Sequence, residues 1–190
     1  MHLSNRLIGV DEAGRGALAG PVVVAAVRLD YGVRIEGIND SKKLSPARRE
    51  RMFAEIINSG AAWHIVEIDA AFIDRHNILQ ATLKGMYEAV SAICGPNDLC
   101  LIDGNQFPPG LACPQSCVIG GDGLHACIAA ASILAKVHRD RLMAASDCHY
   151  PLYGFARHKG YGTAEHLKAL AEYGPCAIHR KSFSPISDLL

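Results

Sequence analysis

The chain has 190 residues, 49% of them hydrophobic, and a formal net charge of zero at pH 7. That composition suffices for one compact core, and it contains no run of about 18 apolar residues that could cross a bilayer. A short polar start with no apolar leader behind it reads as a cytoplasmic protein, and seven cysteines, an odd number, read as reduced thiols.

Residues 7–10 form a short apolar run that ends in Asp11-Glu12, and Gly14-Arg15-Gly16 then signals a turn. Residues 21–29, rich in Val and Ala, read as a second strand, and 37–44 as a polar loop. Ser45-Pro46 opens a helix as N-cap and first helical residue; it runs to about residue 58, where Ser59-Gly60 ends it. Residues 62–68 read as a strand. Residues 70–93 carry apolar side chains at helical spacing, broken near His76-Asn77. Residues 99–102 are again a short apolar run, this time ending in Asp103-Gly104. A Pro/Gly-rich loop follows at 107–113, then a short strand at 116–119. From Asp122 an Ala-rich helix is predicted to about residue 145. Residues 151–162 look irregular, Thr163 caps a last helix to about residue 173, and 174–190 form a tail. Strands and helices alternate, so an α/β fold around a mixed sheet is expected.

The two apolar runs that end in acids carry the chemistry. Continuous apolar runs suit strands buried on both faces, and sites in α/β sheets form beyond the carboxyl ends of parallel strands. If the two strands are parallel neighbours, Asp11 and Asp103 lie side by side. Asp122, after Gly120-Gly121, is placed at the start of the Ala-rich helix, where free N–H groups favour an acid. Glu12 follows Asp11 directly, and alternation sends it to the other face; it joins the cluster only if the chain turns there. Carboxylates gathered in this way repel one another unless cations bind. Oxygen ligands suit Mg²⁺ or Mn²⁺, and two such ions serve phosphodiester hydrolysis. Read otherwise, the same acids are turn residues and a helix cap. Cys113, Cys117 and His125 do not complete a tetrahedral zinc set.

Charge is uneven despite the zero total. Residues 41–51 hold Lys42, Lys43, Arg48, Arg49 and Arg51 against Glu50, and residues 136–181 hold eight Lys/Arg against four Asp/Glu. Such patches fit phosphate contacts, and they also fit ordinary solvated faces. His138-Arg139-Asp140 reads as a charged helix end, Arg139 and Asp140 pairing with neighbours. Twelve aromatic residues are too few for a single-strand stacking platform.

Asp11-Glu12-Ala13-Gly14-Arg15-Gly16 resembles the signature of the ribonuclease H type 2 family. Further motifs resemble that family in order: Asn39-Asp40-Ser41-Lys42-Lys43-Leu44, Ile102-Asp103-Gly104-Asn105, the run IAAASILAKVHRD at 128–140, His158-Lys159-Gly160-Tyr161-Gly162-Thr163, and His179-Arg180-Lys181-Ser182-Phe183. The resemblance spans residues 8 to about 185. It implies a ribonuclease-H-like fold, a five-stranded mixed sheet flanked by helices, in one domain: a core over about 1–147 and a helical appendage over about 148–190. It implies metal ligation and catalysis by Asp11, Glu12, Asp103 and Asp122, with Mn²⁺ or Mg²⁺, two ions once substrate is bound. The implied substrates are RNA–DNA hybrids and duplex DNA containing single ribonucleotides, cut to leave 5′-phosphate and 3′-hydroxyl ends. Gly14, Arg15, Gly16 and Tyr161 are then expected at the ribonucleotide. Lys42 and Lys43 are expected on phosphates, with Ser41, Arg180 and Lys181 as weaker contacts. The family often has a lysine where Gly120 stands, so a cation is missing beside Asp122.

The expected protein acts as a monomer away from membranes; a sliding clamp is a candidate partner. A phosphoacceptor receiver domain shares the acidic pair and the later Asp but has no use for the motifs after residue 125. A non-catalytic hybrid-binding module is the other alternative. The sister ribonuclease H type 3 usually has Ser where Ala13 stands and carries an extra N-terminal domain.

Overall fold

The computed structural model of the chain describes residues 6–30, 32, 33, 35–38 and 44–189. Five strands, β1 (Arg6–Ala13), β2 (Val22–Leu29), β3 (Ala62–Ile68), β4 (Asp98–Asp103) and β5 (Gln115–Val118), form one sheet in the order β3-β2-β1-β4-β5. β1 and β2 pair antiparallel, as do β2 and β3, whereas β1–β4 and β4–β5 are parallel. The sheet is the five-stranded mixed one expected. Among the described residues no helix is long and apolar enough to cross a membrane.

Helices cover both faces. α1 (Pro46–Asn58) starts where Ser45 Oγ accepts from the Arg48 amide, and with α3 (Ala126–His149) it buries the face carrying Ala13, Val23, Ala25 and Val27. α2 (Ala70–Ser91) covers the other face over Ile8, Val10, Val24, Ala26 and Ile102. α2 is broken at the place the sequence marks. Asn77 has φ 66°, and its Oδ1 accepts from the Gln80 amide at 3.0 Å, so it caps the second half. α4 (Phe155–His158) and α5 (Ala164–Tyr173) follow, and a third apolar cluster joins Phe155, Tyr153, Leu170 and Ile186 to Leu18, Ala19 and Met143.

Three boundaries differ from the sequence reading. β1 does not turn after Asp11: it stays paired with β2 through Glu12↔Val24 and Ala13↔Val23, and the turn begins at Gly14 (φ 93°). Asp122 does not begin α3. It lies in a separate 3-10 turn, Gly121–Gly123, and His125 is the N-cap of α3, which runs on to His149. Residues 155–158, expected to be irregular, form α4.

α3 sits unusually close to β1 because small residues meet. Ala129, Ala130, Ala131 and Ala135 are fully buried, and a Cβ on Gly9 would lie 2.1 Å from the Cys127 carbonyl carbon. That contact sets the register of helix on strand. Asp11 is two residues beyond Gly9, about 6.6 Å along a strand. Ser132 is four or five residues beyond Cys127-Ile128, about 6–7.5 Å along a helix. Ser132 therefore arrives over Asp11. Gly9→Ala is expected to lower stability by about 2–3 kcal/mol, since neither backbone can yield to the added methyl; urea unfolding with an unchanged m-value would show it.

Candidate active site

β1 and β4 run parallel with Val10 opposite Ile102, so Asp11 and Asp103, each one residue further on, stand side by side at the carboxyl ends of neighbouring strands. Both belong to the α3 face. Asp11 is buried and accepts from the Glu12 amide (2.7 Å) and from Ser132. Asp103 Oδ1 accepts from the Gly121 amide at 2.8 Å. Asp122, the next residue after Gly121, is 2% exposed. The 3-10 turn is thus tied to the end of β4 by Asp103 itself. Gly120 before it has φ 68°, a conformation glycine adopts freely and lysine does not.

Glu12 comes to this end of the sheet from the opposite face, still within the strand. Its Oε1 accepts from Arg15 Nη1 at 3.3 Å, while Oε2 is buried without a hydrogen-bond partner. Burial, then the charges of Glu12 and Asp103, push the Asp11 carboxyl up to about 7; burial is also the main cause that raises Glu12. At the other end of β4 the contrast is plain. Asp98, equally buried, is paired with Arg6 (3.0 Å) and Arg28 (3.5 Å) and accepts from the Gly95 amide. Among the described residues neither Asp11 nor Asp103 is paired with a Lys or Arg. One end of the sheet neutralises its acid with two arginines; at the other, Glu12 has Arg15, while Asp11 and Asp103 stand without such a pair among the described residues.

The donors fit a hard divalent cation: all are carboxylate oxygens, one of them buried and unpartnered, and repulsion among them is what a cation would relieve. They are not closed into a cage. Among the described residues no three His, Cys, Asp or Glu side chains are gathered tightly enough to hold an ion as they stand. The seven cysteines are free thiols, and burial pushes the Cys113 thiol up to about 12 and raises Cys117.

Gly14, Arg15 and Gly16 make the turn that leaves β1. Arg15 and Gly16 are exposed, and Gly14 packs so closely on Arg139 that a Cβ there would lie 1.9 Å from its Nε. Arg139, fully buried, donates to the carbonyls of Pro21 (2.9 Å), Lys159 (2.9 Å) and Ala19 (3.0 Å), and its guanidinium lies 5.4 Å from the Tyr161 ring. One side chain thus holds the turn and the tyrosine together. Tyr161 is 36% exposed and has Lys136 Nζ on its ring as well, at 5.8 Å.

Arg180 is corrected. It is fully buried and donates to the carbonyls of Gly20 (3.0 Å) and Arg15 (2.9 Å), so it braces the turn from beneath and has no face toward a phosphate. Lys181 is exposed, its amide bonded to Asp74 of α2. Ser41, Lys42 and Lys43 lie outside the described residues. Arg139 does not form the expected ion pair; its partners are carbonyls, while Asp140 pairs with Lys136 at 2.8 Å.

The sequence reading missed Ser132, Lys136 and Arg139 as site residues. Their i, i+4, i+7 spacing puts them on one stripe of α3, which was the available signal. The same stripe leads into a cleft of about 470 Å³ lined by Arg49 of α1, by Lys136 and Arg141 of α3, and by Arg157 and Lys159, with Glu50 and Asp140 among them. The two basic stretches of the sequence, far apart along the chain, form its two walls.

The ribonuclease HII family profile matches residues 8–186 of this chain. The ribonuclease HII of Xylella fastidiosa strain M12 is 55% identical over 194 aligned residues, which cover 100% of this chain and 83% of that one. Among solved structures, the fold is similar to the ribonuclease HII of Archaeoglobus fulgidus in its complex with PCNA, with a TM-score of 0.80 and 23% identity over 94% of this chain and 95% of that one. It is also similar to the Mn²⁺ complex of Bst-RNase HIII, with a TM-score of 0.77 and 19% identity over 98% of this chain and 69% of that one.

Proposed function

The chain belongs to the ribonuclease HII family and is thereby a ribonuclease H acting on RNA–DNA hybrids; on that premise we propose that it also nicks duplex DNA on the 5′ side of a single embedded ribonucleotide, leaving 5′-phosphate and 3′-hydroxyl ends. The observation that carries this reading is the pair Asp11 and Asp103, side by side on parallel strands, the first buried and the second half-buried, and among the described residues without a Lys or Arg partner. With Glu12 and Asp122 they would hold two Mn²⁺ or Mg²⁺ ions, which when bound supply an acidified water and neutralise the scissile phosphate.

The protein's own part is placement. Ser132 and the Glu12 amide orient the Asp11 carboxylate, and the Gly121 amide orients Asp103. Telling RNA from DNA means detecting one 2′-hydroxyl. The Gly14–Gly16 turn offers backbone at close range, and Tyr161 offers an exposed ring beside it, both seated on Arg139. The flanking duplex would run its phosphates along the basic cleft, which gives affinity and register rather than sequence preference. We take the enzyme to work as a cytoplasmic monomer; the PCNA complex of the Archaeoglobus protein makes a sliding clamp a partner worth testing by co-purification.

Purified protein with Mn²⁺ is expected to nick a DNA duplex carrying one ribonucleotide and to leave an all-DNA duplex whole. Intact ribonucleotide substrate after prolonged incubation with metal would overturn the reading. Tyr161→Ala is expected to lower cleavage at the single ribonucleotide by about tenfold to a hundredfold, the scale of a misplaced reacting group, with little change in hybrid binding by fluorescence anisotropy.

A further inference from the structure

Three histidines that the chemistry above does not use are buried together: His158, His166 and His179. The backbone fixes their tautomers. The Cys176 amide donates to His179 Nδ1 at 2.9 Å, so the proton of that ring is on Nε2. His179 Nε2 faces His166 Nε2 at 2.9 Å, which makes the latter the acceptor and puts the His166 proton on Nδ1. His166 Nδ1 lies 3.0 Å from the Tyr161 carbonyl and donates to it. A one-way chain of hydrogen bonds thus runs from the Cys176 amide to the peptide that carries Tyr161.

The surroundings hold this chain in place. The His158 ring stacks on His166 at 4.4 Å and 13°, while its Nδ1 accepts from the Gly160 amide and its Nε2 donates to the Tyr153 carbonyl. Phe155 meets His166 edge-on. Thr163 caps α5 by accepting from the His166 amide, which brings the His166 ring back over Tyr161. Burial pushes the His179 imidazole down to about 4 and lowers His166 as well, so both are neutral at neutral pH. A second proton on His166 would face the Nε2–H of His179 donor to donor.

We infer that His166, set in its tautomer by His179, is a positioning residue for Tyr161: together with the Thr163 amide, which donates to the same oxygen at 2.8 Å, it fixes the carbonyl of the exposed tyrosine and with it the direction in which the ring leaves the backbone. The inference rests on the reading that Tyr161 meets the ribonucleotide sugar. Arg139 holds the preceding carbonyl but one, that of Lys159, and the Tyr161 amide donates to the His158 carbonyl. The peptide is thereby held from both sides while the ring remains free to meet substrate.

The test compares His166→Leu, which removes the side-chain donor and leaves only the Thr163 amide on the Tyr161 carbonyl, with His166→Asn, whose amide N–H can take the place of Nδ1–H. On a duplex with one ribonucleotide, His166→Leu is expected to lower kcat about tenfold to a hundredfold with KM within about twofold. His166→Asn is expected to restore most of that loss. In a Tyr161→Ala background His166→Leu should cost little more, since the two act as one unit. Imidazole nitrogen shifts in labelled wild-type protein should show His166 protonated at Nδ1 and His179 at Nε2, and they remain readable if His166→Leu fails to fold. Equal loss in the Leu and Asn variants, additive loss with Tyr161→Ala, or the opposite tautomers would overturn the inference. A wild type that does not nick at single ribonucleotides would instead overturn the substrate reading, while the tautomers still decide the hydrogen-bond chain.

Discussion

Replacing Asp11 with asparagine is expected to abolish cleavage of hybrid and single-ribonucleotide substrates, by about three orders of magnitude or more, while leaving the fold intact. The size follows from the several kcal/mol of charge stabilisation that a metal centre supplies; the specificity of the effect follows from where Asp11 stands. It touches Glu12 through its amide, Ser132 through its hydroxyl and Asp103 through charge, so no other acid replaces it. The stability of the metal-free protein should move the other way. Burial and neighbouring acids push the Asp11 carboxyl up to about 7. A raised pKa means that the protonated form favours folding: that contribution is present in full below the unfolded value near 4 and is lost as pH rises through about 7. Without metal, Asp11→Asn should therefore melt above wild type at pH 8, by roughly 5–10 °C for a chain of this size, with the gap narrowing toward pH 5. Added Mn²⁺ should raise the melting temperature of wild type and much less that of the variant. A variant that keeps cleavage, or one that melts well below wild type at pH 8, would remove Asp11 from the centre of the site.

The acids at the strand ends were legible because two physical patterns coincide there. A strand buried on both faces needs an unbroken apolar run, and the first residue that breaks the run marks the sheet edge where ligands bind. Residues 7–10 and 99–102 show this directly, and parallel pairing with Val10 opposite Ile102 then places Asp11 beside Asp103. The exact end of β1 was not legible. Its last residues are held by β2, and Val23 and Val24 opposite Ala13 and Glu12 decide that the strand continues. Asp122 was misassigned to α3 because an Asp before an Ala-rich run resembles a cap; the pair Gly121 and Gly123 instead closes a turn of its own, and Asp103 pins it. Arg139, Arg180 and the histidines were the least legible. The two arginines donate to carbonyls of distant segments, and a sequence does not announce where carbonyls converge; the histidines bond to nearby backbone groups and, across 13 residues, His166 to His179. Sequence alone reads Arg139 as a charged helix end and places His179 in a family motif without a role; only the fold shows that both are interior.

Arg139→Ala is expected to be the most destabilising of these substitutions, on the order of 4 kcal/mol, because it leaves the buried carbonyl of Ala19 and the half-buried ones of Pro21 and Lys159 without their donor as well as opening a cavity. For a chain of this length that corresponds to a fall in melting temperature of about 8–16 °C. Arg139→Lys should recover less than half of it, because a single ammonium cannot span carbonyls that the planar guanidinium reaches from separate nitrogens. The functional consequence should exceed what the loss of stability explains. Gly14 rests on Arg139 Nε and the Tyr161 ring lies over the guanidinium, so the turn and the tyrosine would lose their common support together. Arg180, in contact with Arg15 and Gly20 from beneath, cannot replace it, since its bonds go to other carbonyls of the same turn. Burial and then the Arg139 charge bring Arg180 down to about 9, which still leaves it protonated at neutral pH. Two buried cations thus remain below the turn with carbonyls rather than carboxylates as hydrogen-bond partners. Measured at a temperature where both proteins are folded, Arg139→Lys should lose more activity on a single ribonucleotide than on a long hybrid. Equal loss on the two substrates would make Arg139 a support of the fold alone.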